Sequence, residues 1–284
     1  MASCEQCHQQ VATKLRGRPR RYCSRACQAR AYRQRRVETH EATVPPASTV
    51  SAGQSLSIER IVAAAVEISD AEGVEGLSMR RVAARLDAGA MSLYRYVRHR
   101  DELVDLMVDA LFSARPLPEP GPDGWRARLQ LSARYEWSIY LEHPWVAALV
   151  ASTTRPPIAP HLMAYTDWRI RAIQAEGISL PAMASVAIMV STFIQGAALT
   201  LAQEVRASRD SGHDRRQWLA ERRPAITAAL RDHHLPMIAQ FDADSLAASE
   251  PQAIFEFGLP RILDGIAAML GQGSDQDARK RPDR

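Results

Sequence analysis

Cysteine is absent from most of this 284-residue chain, because all four cysteines lie within the first 27 residues. Disulfide bonds therefore cannot stabilise the rest of the chain, and this usage is typical of a reducing compartment. The N-terminus also lacks the apolar run of about 7–15 residues that a secretory signal peptide requires. From these two absences we expect a cytoplasmic protein.

Aromatic residues are scarce, at 6%, whereas the 46% hydrophobic and 24% charged residues are ordinary for a soluble globular protein. This composition excludes collagen-like, coiled-coil-only and wholly disordered chains. The net charge of +4 is a weak argument for a nucleic-acid partner. Its distribution says more, because residues 1–50 carry ten basic and three acidic side chains.

Charge is also missing from Leu180 to Gln203, a stretch about as long as a membrane span. Its serine, threonine and glutamine side chains and its many alanines suit hydrocarbon poorly. We interpret the stretch as a buried helix, with a transmembrane helix as the alternative.

The chain divides into segments by composition and pattern. Four prolines within 116–122 cannot continue a helix and predict a domain joint. No segment of strand length alternates with period two, so we expect an all-α fold. The predicted segments are a basic cysteine-rich segment (1–36), a flexible linker (37–55), a helical block (56–113), a longer helical segment (125–271) and a disordered tail (272–284).

The helical block has the spacing of a helix-turn-helix. Apolar residues at i, i+3, i+4 and i+7 predict four helices, over about 58–73, 78–88 and 91–97 and from about 101. Ser57 is the expected N-cap of the first helix. The second and third helices are short and close together, and Gly89 between them is free to take a positive φ, as such a turn allows.

The helical block is acidic overall, but positive charge is concentrated within it at residues 80–100. Residues 80–100 contain one acid, Asp87, and six arginines, which are Arg80, Arg81, Arg85, Arg95, Arg98 and Arg100. A focused cationic surface beside a helix-turn-helix is typical of duplex DNA binding. The alternative is that the arginines form an ordinary solvated face.

Residues 86–103 read Leu-Asp-Ala-Gly-Ala-Met-Ser-Leu-Tyr-Arg-Tyr-Val-Arg-His-Arg-Asp-Glu-Leu and resemble the DNA-reading region of the tetracycline-repressor (TetR) family. The signature is Leu93-Tyr94-x-Tyr96-Val97, and the resemblance covers residues 57–112. Residues 255–266 are similar to the closing helix of the family's ligand domain. The resemblance implies a homodimeric repressor that binds a palindromic operator and is released by a small-molecule effector.

A recognition helix places its N-terminal side chains against base edges in the major groove. The expected base-reading residues are Ala90, Met91, Ser92, Arg95 and Tyr96. The resemblance implies phosphate contacts for Ser78, Arg80, Tyr94 and Arg100, which would fix register without reading sequence. Leu93 and Val97 are expected in the core, and the alternative for the tyrosines is that they are core residues too.

The N-terminal segment has the ligand spacing of a tetrahedral zinc site, Cys4-x2-Cys7 followed by Cys23-x3-Cys27. It resembles a treble-clef or zinc-ribbon finger, with zinc as a structural cofactor. Ten Lys and Arg residues and no acid lie between Glu5 and Glu38, which suggests an auxiliary phosphate or minor-groove contact. The alternatives are a basic face that binds RNA or protein, and a redox-sensing metal.

Residues 125–205 are expected to enclose an effector pocket, with plain core packing as the alternative for each wall residue. The candidate walls are Trp137, Tyr140, Trp145, Met163, Trp168, Met189, Phe193 and Gln195. The positions that match the drug-bound metal ligands of tetracycline repressors are Ala151 and Thr200, so magnesium–tetracycline is disfavoured as effector. The apolar helix from 181 and the last helix have more apolar surface than one partner each would cover, which predicts a four-helix dimer interface.

The sequence thus favours a ligand-responsive DNA-binding repressor with an extra zinc finger. One alternative is an all-helical enzyme, but the body has no set of nucleophile, base and orienting residue and no metal triad. The other is a zinc-finger RNA-binding or scaffold protein whose helical body only dimerises.

Overall fold

The computed structural model describes residues 55–151 and 156–279, and in the N-terminal segment residues 2–4, 7, 9–11, 22, 24 and 27. The chain forms two compact units, Met1–Ser55 and Leu56–Arg284. The boundary between the two units lies between Ser55 and Leu56. Apart from Ser55, the predicted linker (37–55) lies outside the described residues.

The N-terminal unit contains a small hairpin. Strand β1 (Ala2–Ser3) pairs antiparallel with β2 (Gln10–Val11), with Ala2 opposite Val11 and Ser3 opposite Gln10. The backbone N–H of Cys4 donates to the carbonyl oxygen of Gln9 at 2.8 Å and extends the pairing into the loop. The loop of the hairpin therefore carries Cys4 and Cys7.

The second unit is all-α in the residues that the structure describes, which confirms the predicted fold class. Short 3-10 turns separate some of the helices. The helices are α1 (Ile58–Glu72), α2 (Met79–Arg85), α3 (Ala90–Leu93), α4 (Arg100–Ser113), α5 (Trp125–Glu142), α6 (Trp145–Val150), α7 (Pro160–Ala172), α8 (Leu180–Ser211), α9 (Arg215–Asp232), α10 (Ala243–Ala247) and α11 (Pro251–Arg279).

Local capping signals fix the ends of α1. The Ser57 hydroxyl accepts a hydrogen bond from the Arg60 N–H at 3.4 Å, as predicted for an N-cap. Gly73 follows the last residue with φ of 78°, a backbone conformation that favours glycine. Buried Ile61, Val62, Ala65 and Ile68 form the apolar face at the predicted spacing.

The proline-rich connection between α4 and α5 is non-helical, as predicted. It does not separate two independently packed halves, because 56–284 is one compact unit. Trp168 covers it: the indole N–H donates to the Pro118 carbonyl oxygen at 3.3 Å, and a Cβ on Gly121 would lie 2.6 Å from the indole ring. The predicted joint is therefore a packed connection.

Helix α8 is the central element of the helical core formed by residues 125–271. It is long and apolar enough, by length and composition, to cross a membrane. It packs against α5, α6, α7 and α11, and its buried residues are Met183, Val186, Ala187, Val190, Ile194, Ala197 and Ala198. Contact with four helices accounts for the long uncharged stretch and agrees with its interpretation as a buried helix.

Helix α11 continues to Arg279, through most of the predicted disordered tail (272–284). No proline occurs between Pro260 and Pro282, so nothing in this stretch removes a backbone N–H donor from the helix. Residues 280–284 lie outside the described residues.

A buried ion pair crosses the core between α5 and α7. The Arg169 guanidinium donates to the Glu136 carboxylate at 2.6 Å, and their side chains are 1% and 0% exposed. The guanidinium also bonds Ser132 Oγ at 2.9 Å and the hydroxyl of Ser191 on α8. Tyr140 donates its hydroxyl proton to Glu136 at 2.7 Å. These hydrogen bonds offset the cost of removing two charges from water.

We expect Glu136→Gln to destabilise the protein strongly, because Arg169 would remain buried without its counter-charge. The expected loss is about 3–5 kcal/mol of unfolding free energy, measured by urea denaturation. The control is Asp167→Asn, which removes one of the two carboxylates paired with exposed Arg171, the other being Glu119, and should have a small effect. Equal losses in the two variants would contradict the assignment.

Candidate DNA-binding interface and effector domain

The helix-turn-helix consists of α2, a four-residue turn and α3. Ser78 caps α2, its hydroxyl accepting from the Arg81 N–H at 3.3 Å. The Ala88 N–H donates to the Ala83 carbonyl oxygen at 2.9 Å and closes the turn. The positive φ falls on Asp87, at 51°, whereas Gly89 has φ of −72° and precedes α3 in an extended conformation. The predicted role of Gly89 is therefore wrong, and a short polar residue takes the left-handed position.

The two faces of α3 and the turn after it differ sharply in exposure. Leu93 and Val97 are fully buried, as expected. Met91 is 78% exposed, Tyr94 44% and Tyr96 37%, so neither tyrosine is a core residue. Because the apolar pair fixes the orientation of the helix, the remaining side chains face solvent together. This face is available to a DNA groove.

The other predicted contact residues lie around the same face. Ala90 and Ser92 are half-buried at the start of α3, and Ser78 is half-buried as the cap of α2. Arg80, Arg95 and Arg100 are exposed. Each residue is thus accessible, and its contact with a base or a phosphate stays a prediction.

Internal partners neutralise much of the cationic surface. Arg81 pairs with Glu72, Arg85 with Glu67 and Arg98 with Glu102. The Arg100 guanidinium donates to the carbonyl oxygens of Val74 at 2.9 Å and Leu77 at 3.4 Å. Among the described residues, Arg80 and Arg95 form no ion pair and no side-chain hydrogen bond. In the described part of the chain, these two guanidinium groups of the surface therefore keep all their hydrogen-bond donors exposed to solvent.

Asp70, near the end of α1, connects this helix to α6 and α8. Its carboxylate accepts the indole N–H of Trp145 at 2.7 Å and lies 2.7 Å from His143 Nδ1. Its backbone oxygen accepts from Arg209 of α8 at 3.3 Å. These hydrogen bonds would therefore transmit a change in the position of α6 or α8 to α1.

Helix α4 forms a second connection, to the start of α7. Asp105 accepts the backbone N–H of Ile158 at 3.1 Å. Asp109 accepts the backbone N–H of His161 at 2.7 Å and lies 2.9 Å from its Nδ1. Helix N-termini favour negative charge, which gives both carboxylates a physical reason for their positions.

The predicted pocket residues occupy three environments. Met163 and Met189 are 62% and 44% exposed, and Phe193 and Gln195 are half-buried. The buried members of the set are Trp137, Tyr140, Trp145 and Trp168. Burial raises the pKa of Tyr140 well above its usual range, and the adjacent Glu136 carboxylate raises it further.

Two cavities open beside these residues. A cavity of about 350 Å³ lies between α1 and α8 and includes Trp145 and Arg206 in its wall. A cavity of about 450 Å³ lies between α5, α8, the start of α9 and the start of α11, and includes Trp137 and Gln252. Roles of the eight predicted wall residues in ligand binding stay predictions.

Phe255 is a neighbour of the predicted pocket residues that the sequence pattern did not identify. Its ring stacks on Trp137 with centroids 4.5 Å apart and lies 6.3 Å from Phe193. Gln252, one turn earlier on α11, accepts the Trp137 indole N–H at 2.7 Å. The apolar spacing of the last helix was visible in the sequence, but its partner on α5 was not.

Comparison with known proteins agrees with this architecture. Residues 117–270 match the family described as the tetracyclin repressor-like C-terminal domain. The chain is 37% identical over 227 residues to the HTH-type transcriptional repressor DrrR1 of Streptomyces coeruleorubidus, covering 79% of this chain and 82% of that repressor. The chain belongs to the TetR family.

More distant TetR-family proteins share the same fold. The class A tetracycline repressor of Escherichia coli is 28% identical, covering 73% of this chain and 88% of that protein. ActR of Streptomyces coelicolor in complex with actinorhodin superposes with a TM-score of 0.59 and 27% identity, covering 77% of this chain and 98% of ActR. The chain is therefore a DNA-binding transcriptional regulator and not an enzyme.

We expect Arg95→Ala to weaken binding to a duplex selected from random DNA by about 1–3 kcal/mol and to relax its sequence preference. Arg80→Ala should instead weaken selected and random DNA alike and reduce the slope of log affinity against log salt by about 1. Both residues are exposed, so unfolding free energy should change little.

The control is Arg171→Gln on α7, which should leave DNA affinity unchanged. Fluorescence anisotropy at several salt concentrations measures all three variants. Wild-type affinity in Arg95→Ala would support the solvated-face alternative.

Proposed function

We propose that two copies of this TetR-family regulator bind an inverted-repeat operator in the cytoplasm and repress transcription until a small-molecule effector releases them. The observation that carries the proposal is the exposed face of α3 with the guanidinium groups of Arg80 and Arg95 beside it, which have no ion-pair partner in the described part of the chain. The proposal is also supported by the relatives that are named as repressors.

The proposed reading helix is α3. Its N-terminal end enters the major groove with Ala90, Met91, Ser92, Arg95 and Tyr96 against base edges. The long apolar Met91 side chain suits a thymine methyl group, whereas Arg95 suits a guanine edge. Ser78, Arg80, Tyr94 and Arg100 hold phosphates. Arg100 keeps its Nη1 group for this contact, because its hydrogen bonds to the backbone carbonyls of Leu77 and Val74 use Nε and Nη2.

Pairing of two chains uses the exposed apolar side chains of α8 and α11. Phe257 is 66% exposed and Ile188 58%, although the two helices already pack on each other. Large apolar side chains on neighbouring helices are typical of a protein interface, and a two-fold axis makes such a surface self-complementary. The dimer would set two α3 helices about one turn of DNA apart.

Release follows from the connections at Asp70, Asp105 and Asp109. An effector bound in the helical body that favours another arrangement of α6 and α7 shifts α1 and α4 with them. The spacing of the two reading helices then no longer fits successive major grooves, and the population moves to the unbound form. ActR, which has the same fold, is known in complex with the small molecule actinorhodin.

Selection from a pool of random duplex DNA tests the proposed function. We expect the full chain to enrich one inverted repeat whose half-sites lie about one helical turn apart. Enrichment should be weaker and less sequence-specific for Arg95→Ala and should be unchanged for Arg171→Gln. Recovery of no sequence, or of a single unrepeated site, would contradict operator binding by a two-fold assembly.

The dimer interface has its own test. We expect Phe257→Glu to convert the assembly from two chains to one 31.5 kDa chain, because it places a charge in an apolar interface. Light scattering measures the mass. The matched control is Met163→Glu, which changes a residue on α7 that is 62% exposed and should remain dimeric. A dimeric Phe257→Glu protein would place the interface elsewhere.

A further inference from the structure

The N-terminal unit brings together cysteines that are distant in sequence. Cys4 and Cys7 lie in the loop of the β1–β2 hairpin. The Sγ atoms of Cys4, Cys7 and Cys27 all lie within 4.8 Å of one another. The Cys27 backbone N–H donates to Ser24 Oγ at 3.2 Å, a contact of the kind that caps the start of a helix. A hairpin loop and a capped turn thus deliver three thiols to one point.

The separation of the three sulfur atoms suits a metal ion. Thiolates bound at about 2.3 Å around a tetrahedral zinc ion lie about 3.8 Å from one another. The spacing within 4.8 Å needs only a small closure to reach this geometry. A disulfide requires a sulfur separation of about 2.05 Å and joins only two residues, so it leaves the third thiol unexplained.

The three cysteines differ in exposure, since Cys7 is exposed and Cys27 half-buried, and apolar packing cannot account for the burial of Cys4. Cys4 is fully buried. Residues 1–36 contain one leucine, one valine and no isoleucine, phenylalanine or tryptophan. A segment of this size and composition buries too little apolar surface to fold alone, whereas a structural metal supplies the free energy of folding.

We propose that Cys4, Cys7 and Cys27 bind one structural zinc ion, with Cys23 as the fourth ligand. Cys23 lies outside the described residues and is assigned from the Cys-x3-Cys spacing. Four thiolates fill a tetrahedral site and leave no open position, which suits a structural ion rather than a catalytic one. The ten Lys and Arg residues between Glu5 and Glu38 offset the net negative charge of a zinc ion with four thiolates.

The site closes a loop through the most basic part of the chain. The ligand pairs at 4–7 and 23–27 enclose Lys14, Arg16, Arg18, Arg20 and Arg21. Zinc binding would hold the two ends of this stretch together. The rest of the protein should fold without the metal, because Leu56–Arg284 is a separate compact unit.

Metal analysis of the full chain, purified under reducing conditions, tests the proposal. We expect about one zinc per chain. Cys4→Ser, Cys23→Ser and Cys27→Ser should each weaken zinc binding in a chelator competition by more than the 10–100-fold that loss of an outer partner costs. The matched control is Ser3→Ala, next to Cys4 and exposed, which should keep its zinc. Helical circular dichroism should be nearly unchanged in all four variants.

Two further measurements separate zinc from the other uses of the cysteines. Cobalt substitution should give the intense visible bands of a tetrahedral thiolate site, and these should be lost in Cys27→Ser. Thiol titration of denatured, unreduced protein with chelator should find four thiols. Absence of zinc, iron in its place, zinc retained in every cysteine variant, or fewer than four thiols would each overturn the proposal.

Discussion

Burial of Leu93 and Val97 decides what the DNA-binding helices present to solvent. Both side chains are fully buried in the core that also contains Ile61, Val82 and Leu103. A helix of four residues cannot hold its own orientation, because its backbone forms too few hydrogen bonds. The buried pair therefore turns α3 so that Met91 and the side chains beside it face outward. Truncation of Leu93 to alanine would cost about 2–5 kcal/mol and loosen that face.

Electrostatics then selects which side chains can act on this face. Glutamates pair with Arg81, Arg85 and Arg98 and lower the effect of these three charges on a distant phosphate. Backbone carbonyls hold the Arg100 guanidinium in place without cancelling its charge. A count of arginines in the sequence therefore overestimates the positive charge that is available to DNA on this surface. Arg80 and Arg95 differ because they have no internal partner among the described residues. A DNA phosphate or base would therefore displace only water from these guanidinium groups and would break no internal ion pair.

Local signals in the sequence predicted the helices, but the sequence did not predict which residues of different helices contact each other. The Ser57 cap, the stop at Gly73 and the apolar spacing of α1 depend only on neighbours within a few residues. The pairing of Arg85 with Glu67, of Asp70 with Trp145 and of Arg169 with Glu136 depends on how the helices pack. The turn needs one residue with positive φ, and both glycine and aspartate can adopt this conformation. The sequence therefore did not decide between Asp87 and Gly89, and the structure places the positive φ on Asp87.

The central claim is that the exposed face of α3 lies against DNA, and photocrosslinking tests it most directly. A photoreactive amino acid at position 91 should crosslink to the selected operator at two positions about one helical turn apart. The same amino acid at position 163, on α7, replaces a side chain that is also exposed, at 62%, and should not crosslink. Crosslinks from position 163 with none from position 91 would contradict the account.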